Sequence, residues 1–271
     1  MITINGNRLE RDFEFSGGER QIRLGDLGID RGLSTISVDA KVKNSNDMMT
    51  LLLVLNAIQL LDKGNSPVYV YLWYLPYARQ DRDCYPGEAN GSAVMRDLLG
   101  LMPADTIYVA DVHSPQMFPI NVTEVPCHTI FEDNREMLEG ITALVSPDEG
   151  SSVKVSRIAE MFNLPVVYCR KTRDCDTGVI NGVEVMQGDY YIDQGDLLVV
   201  DDICDGGGTF LGLAEELKRY SKFKSLSLYV THGIFSRGPG ILLREYDNIF
   251  TTDSFYEYTE LTSDRIKVIN L

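Results

Sequence analysis

The chain has 271 residues, 44% hydrophobic and 24% charged, with a formal net charge of −15. That length exceeds the usual single domain, and the balance is that of an ordinary globular protein. The acidic excess argues against general nucleic-acid binding, and no apolar run approaches a membrane span, so neither nucleic acid nor membrane is an expected partner. The opening MITINGNRLERDFEF lacks a basic segment followed by an apolar one. Five scattered cysteines (Cys84, Cys127, Cys169, Cys175, Cys204) form no Cys-x-x-Cys pair, so reduced thiols and a cytoplasmic location are expected.

In chain order, the pattern predicts a helix over Met48–Leu61 and a strand over Val68–Leu75. The strand exit reads YLPYARQDR, residues 74–82, whose arginines suit polyphosphate and whose Gln80 suits a base or ribose. A salt-bridged surface loop fits that segment equally well when it is taken alone. A strand over Thr106–Ala110 leads to Asp111, Val112, His113 and, slightly further on, Gln116. The segment FEDNREMLEG precedes the next strand and marks a domain boundary, with units 1–135 and 136–251 expected.

Strand Ala143–Val145 then leads to Ser146, Pro147, Asp148, Glu149 and Gly150, followed by a helix over Val153–Phe162. Strand Val166–Tyr168 leads to Cys169, Arg170, Lys171, Thr172 and Arg173. Leu197–Val200 suits a strand buried on both faces, and LLVVDDICDGGGT continues it into a glycine-rich turn closed by Thr209. Gly206, Gly207 and Gly208 let the backbone point several N–H groups at one anion, and Asp201 and Asp202 at the strand end reach ribose hydroxyls or a hydrated metal. The glycine spacing is neither that of the P-loop nor of the dinucleotide fingerprint. Helix Phe210–Tyr220 and strand Leu226–Val230 follow, the latter leading to Thr231, His232, Gly233, Ile234, Phe235, Ser236, Arg237 and Gly238. Strands alternating with helices in two clusters predict an α/β chain with two parallel sheets.

The acidic pair followed by Asp-x-x-Gly-Thr resembles the ribose-phosphate signature of type I phosphoribosyltransferases. YARQDR, Asp-Val-His, Ser-Pro-Asp and the Thr-His-Gly-Ile-Phe-Ser string, in that order, resemble the motifs of ribose-phosphate pyrophosphokinases. The resemblance implies two phosphoribosyltransferase-like domains, a nucleotide site at their interface, and residues 252–271 returning to the first. It implies an ATP-dependent diphosphokinase releasing AMP, with Mg²⁺ as cofactor and a homo-oligomer, dimer or hexamer, as the assembly.

Position by position, the resemblance implies ATP contacts at Glu19, Arg79 and Gln80, and Mg²⁺ ligands at His113 and Asp148. It implies a ribose-phosphate site at Asp201, Asp202 and Asp205 to Thr209, and catalytic cations on a flexible loop at Lys171 and Arg173. Departures from the family pattern lie at Gly17 and Gly18, where a carboxylate is missing, at Asp39 to Lys41, and at Gly206, where a hydroxyl residue is usual. The strand and helix that precede the Phe15 loop in the family are largely absent. Gly206 opens space beside the phosphate, so the acceptor is either ribose 5-phosphate or ADP-ribose, the latter used by phage-type relatives in NAD metabolism. The competing readings are a phosphoribosyltransferase that consumes phosphoribosyl pyrophosphate and a catalytically silent regulatory homologue.

Overall fold

The computed structural model describes residues 1–25, 27, 29, 34–114, 117–173, 180–186, 194–256 and 263–271, with the backbone alone at 171–173 and 180–183. The chain divides into two compact units, Met1–Val125 and Pro126–Leu271.

The first unit runs β1 (Ile2–Ile4), β2 (Asn7–Arg8), β3 (Arg11–Glu14), β4 (Arg20–Arg23), β5 (Ile36–Ala40), α1 (Ser45–Asp62), β6 (Val68–Tyr71), α2 (Gly91–Leu101), β7 (Thr106–Ala110) and β8 (Val122–Val125). Its six-stranded sheet has the order β2-β1-β5-β6-β7-β8. The strands β5 to β8 are parallel, and β1 and β2 add an antiparallel edge. β3 and β4 form a separate hairpin. Helix α1 starts where the Asn44 side chain accepts from the N–H groups of Asn46 and Asp47, and ends at Lys63 in the left-handed region (φ 55). Met48, Leu51, Val54, Leu55 and Ile58 recur at helical spacing and pack in one core with Val38, Val70 and Ile107.

The second unit runs α3 (Cys127–Asp133), β9 (Ala143–Ser146), α4 (Ser152–Phe162), β10 (Val166–Arg173), β11 (Ile180–Val185), β12 (Asp196–Cys204), α5 (Gly208–Tyr220), β13 (Ser225–Gly233), β14 (Asn248–Thr252) and β15 (Ile266–Ile269). Its seven-stranded sheet has the order β11-β10-β9-β12-β13-β14-β15. Only the β10–β11 pair is antiparallel among the strands of this sheet. Along β12, Leu197 and Val199 enter one core with Leu213 and Leu217 of α5, whereas Leu198 and Val200 enter another with Ile158 of α4 and Phe131 of α3. Both faces are covered, so the strand is apolar without interruption. Each fully buried aliphatic side chain of this kind contributes about 1.5–3 kcal/mol.

The α/β architecture with two parallel-rich sheets is as expected, and three expectations are corrected. The units divide after Val125, ahead of the expected position at 135, because Cys127, Ile130 and Phe131 of α3 pack into the second unit's core. Within the C-terminal stretch expected to return to the first unit, β15 instead joins the second unit's sheet, pairing in parallel with β14, Ile249 opposite Ile266 and Thr252 opposite Ile269. The segment carrying Lys171 and Arg173 continues as a strand, with Lys171 opposite Val183 and Arg173 opposite Ile180. Among the described residues, no helix is long and apolar enough to cross a membrane.

Candidate active site

β12, a tight turn and α5 build the glycine-rich loop. Gly207 caps α5 with φ 76, and a methyl group there would lie 3.1 Å from Leu242 Cδ2, so conformation and packing both demand glycine. The first helical bond runs from Leu211 N–H to Gly207 O at 3.0 Å. The N–H groups of Gly208, Thr209 and Phe210 therefore carry no intrahelical partner, and the positive end of the helix makes this terminus suited to an anion. Exposed Gly208 leaves that approach open.

Gly206 differs. Its backbone is not in the left-handed region, and a methyl group would meet Arg237 Nε at 3.7 Å and Arg237 Cδ and Ser236 Oγ at 3.9 Å, which is ordinary contact. The space beside this glycine is bordered by the exit loop of β13, not simply open as the sequence reading had it.

The acidic pair lies at the polar end of β12, with Asp202 buried and Asp201 accepting from Asp202 N–H at 3.0 Å. Removal from water pushes the Asp201 carboxyl well above the usual range, aided by the charges of Asp202 and Asp148 and opposed by Lys154. Lys154, on α4, lies 3.9 Å from Asp202. Asp148 is fixed by its own loop: its Oδ1 accepts from Ser151 N–H at 3.1 Å, and its carbonyl accepts from the hydroxyls of Ser146 (2.9 Å) and Ser151 (3.0 Å). The structure thus groups Asp148, a candidate metal ligand, with Asp201 and Asp202 at the ends of adjacent strands β9 and β12. His113 belongs to the first unit. Among the described residues, no group of three or more His, Cys, Asp or Glu side chains has the geometry of a complete metal site.

Cys204 lies within the same turn but is fully buried, and burial, then the Asp201 and Asp205 charges, push its thiol up to about 12. It is a packing residue, inert as a nucleophile. Cys84, Cys127, Cys169 and Cys204 are all free thiols.

In the first unit the loops after β6 and β7 carry the candidate nucleotide residues. Arg79 and Gln80 are exposed, with Gln80 N–H donating to Tyr77 O (2.9 Å) and Gln80 O accepting from Ser92 N–H (3.0 Å). A methyl group on Gly91, the first residue of α2, would lie 2.3 Å from Gln80 Oε1. Ser114, next to His113, donates its hydroxyl to Asp81 and so links the two loops. Glu19 is exposed at the β3–β4 turn, where Phe15 N–H donates to Glu19 O at 2.8 Å. Gln116 and the side chains of Lys171 and Arg173 lie outside the described residues. Lys154 on α4, Gly91 on α2, Ser114 and Arg237 also border these candidate residues, and they are not legible in the sequence because each meets its partner across separate elements, which no local pattern encodes.

A phosphoribosyl transferase domain model matches residues 128–241, a span containing the acidic pair and the glycine loop. A ribose-phosphate pyrophosphokinase of Mycoplasmopsis pulmonis is 28% identical over 84% of this chain and 71% of its own length. One of Pyrococcus abyssi is 28% identical over 88% and 81%, and one of Pyrococcus furiosus is 30% identical over 83% and 78%. The phosphoribosylpyrophosphate synthetase of Mycobacterium smegmatis superposes with a TM-score of 0.75 at 21% identity, covering 96% of this chain and 85% of that one, and shares its fold. Kinship over this much of both chains settles the assignment: the chain belongs to the ribose-phosphate pyrophosphokinase family and is a transferase of the ribose-phosphate diphosphokinase type.

Proposed function

We propose that this enzyme transfers the β,γ-diphosphate of ATP as one group to the anomeric hydroxyl of a ribosyl acceptor whose 5′-phosphate is held by Asp205 to Thr209. The observation that carries this reading is the union of a phosphate cradle and an acidic pair on one strand-turn-helix unit, so that phosphate and sugar hydroxyls bind a fixed distance apart. A bond forms between the anomeric oxygen and the β-phosphorus as the bond from that phosphorus to the AMP oxygen breaks. AMP leaves with the electron pair, and the hydroxyl proton is released. No protein nucleophile is required.

Glu19, Arg79 and Gln80 bind ATP, and Asp201 and Asp202 orient the ribose hydroxyls. Lys171 and Arg173 offset charge on the transferring group. Mg²⁺ suits the chemistry of the donors: Asp148, Asp201 and Asp202 supply hard carboxylate oxygens, and a cation would offset the Asp202 and Asp148 charges that add to burial in raising the Asp201 carboxyl. Within the second unit Asp148 would contribute to holding it, the resemblance adds His113 of the first unit as a candidate ligand, and the ion would supply charge neutralisation at the phosphate oxygens.

Relatives named for ribose phosphate support ribose 5-phosphate as acceptor. A second reading, ADP-ribose, is favoured by Gly206, which carries no side chain on the flank of the cradle where Arg237 stands. Incubation with Mg-ATP and each acceptor, followed by mass spectrometry, tests both: release of AMP together with an acceptor 1-diphosphate is expected. ATP hydrolysis alone, or no AMP with either acceptor, would remove the diphosphokinase reading.

A further inference from the structure

The segment after β13 is folded over the turn after β12. Ile234 and Phe235 both donate their N–H groups to Cys204 O, at 2.9 and 3.0 Å, and Ser236 N–H donates to Asp205 O at 3.1 Å. Phe235 adopts φ 44 and is buried in the core, its ring lying so close to Gly233 that a methyl group there would approach it to 2.3 Å. Gly238, at φ 75, closes the turn by donating to Phe235 O at 2.7 Å. Ser236 and Arg237 therefore form the tip of a turn fastened on both sides, and the Arg237 backbone has a fixed position relative to the cradle.

From that tip the Arg237 side chain lies back along Gly206, with Nε and Cδ at ordinary contact distance from where a side chain at Gly206 would begin. It is exposed and makes no ion pair among the described residues, in a chain whose net charge is −15. A guanidinium held beside an anion cradle without a carboxylate partner is available to an anionic ligand. The N–H groups of Gly208, Thr209 and Phe210 approach the first phosphate from the helix end. Arg237 comes from a different element, the loop after β13, and its side chain borders Gly206 of the cradle turn.

We propose that Arg237 is an acceptor-specificity residue, pairing with a second phosphate attached to the 5′-phosphate in the cradle and so favouring a nucleoside-diphosphate ribose over the simple monoester. The assignment rests on residues 201–209 being the acceptor site. A fork of N–H donors on a diphosphate ester gains charge-assisted bonds that a monoester does not offer from the same side.

The test compares kcat/KM for ADP-ribose and ribose 5-phosphate in the wild type, Arg237→Gln and Arg237→Lys, reading AMP release under Mg-ATP. Arg237→Gln is expected to lower the ratio of ADP-ribose to ribose 5-phosphate kcat/KM at least tenfold, mainly through KM, with partial recovery in Arg237→Lys. An unchanged ratio overturns the specificity role, as does a wild type that turns over ribose 5-phosphate alone. Calorimetric binding of ADP-ribose supplies an independent reading: Arg237→Gln should weaken it tenfold or more, and equal affinity in wild type and variant overturns the proposal. A wild type that releases no AMP with either acceptor, yet loses ADP-ribose affinity in Arg237→Gln, would instead sink the diphosphokinase reading and leave Arg237 as the diphosphate contact.

Discussion

The Ser114 hydroxyl donates to the Asp81 carboxylate and so ties the loop after β7 to the loop after β6. Arg79 and Gln80 precede Asp81, and His113 precedes Ser114, so this bond contributes to the relative placement of three candidate ligand residues, alongside the backbone bonds Leu72 N–H to Tyr108 O (2.8 Å) and Ala110 N–H to Trp73 O (2.9 Å). Ser114→Ala and Asp81→Asn should each raise KM for ATP by about three- to tenfold, the loss of roughly one hydrogen bond to a charged group. The double variant should be no worse than either single one, since both remove the same link. Steady-state kinetics at saturating acceptor reads this, and additive losses would mean that the two residues act separately.

Gly91 is required by Gln80, not by its own backbone. A methyl group there would lie 2.3 Å from Gln80 Oε1 and 3.2 Å from its Cβ, too close for the side chain to keep its place. Gly91→Ala is therefore expected to raise KM for ATP while costing at most the about 1–3 kcal/mol typical of overpacking. Thermal melts and ATP titrations on Gly91→Ala, alone and combined with Gln80→Ala, separate the effects. Removal of Gln80 should recover the melting temperature but not the ATP affinity.

Lys171 is expected to act on the transferring diphosphate, so Lys171→Ala should lower kcat by about 100-fold with ATP affinity nearly intact, as befits an interaction stronger in the transition state. Rapid-quench turnover paired with equilibrium ATP binding distinguishes the cases. A raised Kd with unchanged kcat would reassign Lys171 to ground-state binding.

Asp62 ends α1, where a carboxylate meets the unfavourable end of the helix dipole. Ser66 offsets this by donating its hydroxyl to Oδ1 (2.7 Å) and its N–H to Oδ2 (2.8 Å), and these bonds hold the carboxyl below its ordinary value. A depressed carboxyl contributes stability that is present above its unfolded pKa and lost as pH falls through the folded one. Melting temperatures from pH 7 down to pH 3 should therefore fall less steeply for Asp62→Asn than for the wild type, with the variant lower at pH 7. Parallel curves would show that Ser66 does not stabilise the ionised form.

The elements that were legible in the sequence are those whose environment imposes one residue type. β9, β12 and β13 are buried on both faces and so read as apolar runs, and α1, α4 and α5 show helical spacing. The edges were not legible: β1 to β4, β8 and β15 are short or half-exposed, and nothing forces an apolar pattern on them. β12 extends through Asp201 and Asp202 to Cys204, although carboxylates mark the end of an apolar run, because pairing with β13 continues to Gly233. Strand β6 stops at Tyr71, short of the expected Leu75. The cradle was legible because Gly207 needs a positive φ and α5 needs an open N-terminus, both of which constrain residue type locally. The approach of Lys154 to Asp202, and of Arg237 to Gly206, joins residues on different elements, where only the folded chain brings them together.

The wall beside Gly206 belongs to the exit of β13, whereas Asp201 and Asp202 belong to β12 itself. On the proposed function, what hangs from the phosphate and what reacts at the other end of the sugar would be read by separate stretches of polypeptide. An edit at positions 236 and 237 would then retune the first without disturbing the second, as a lock is recut for a new key while its bolt is left alone.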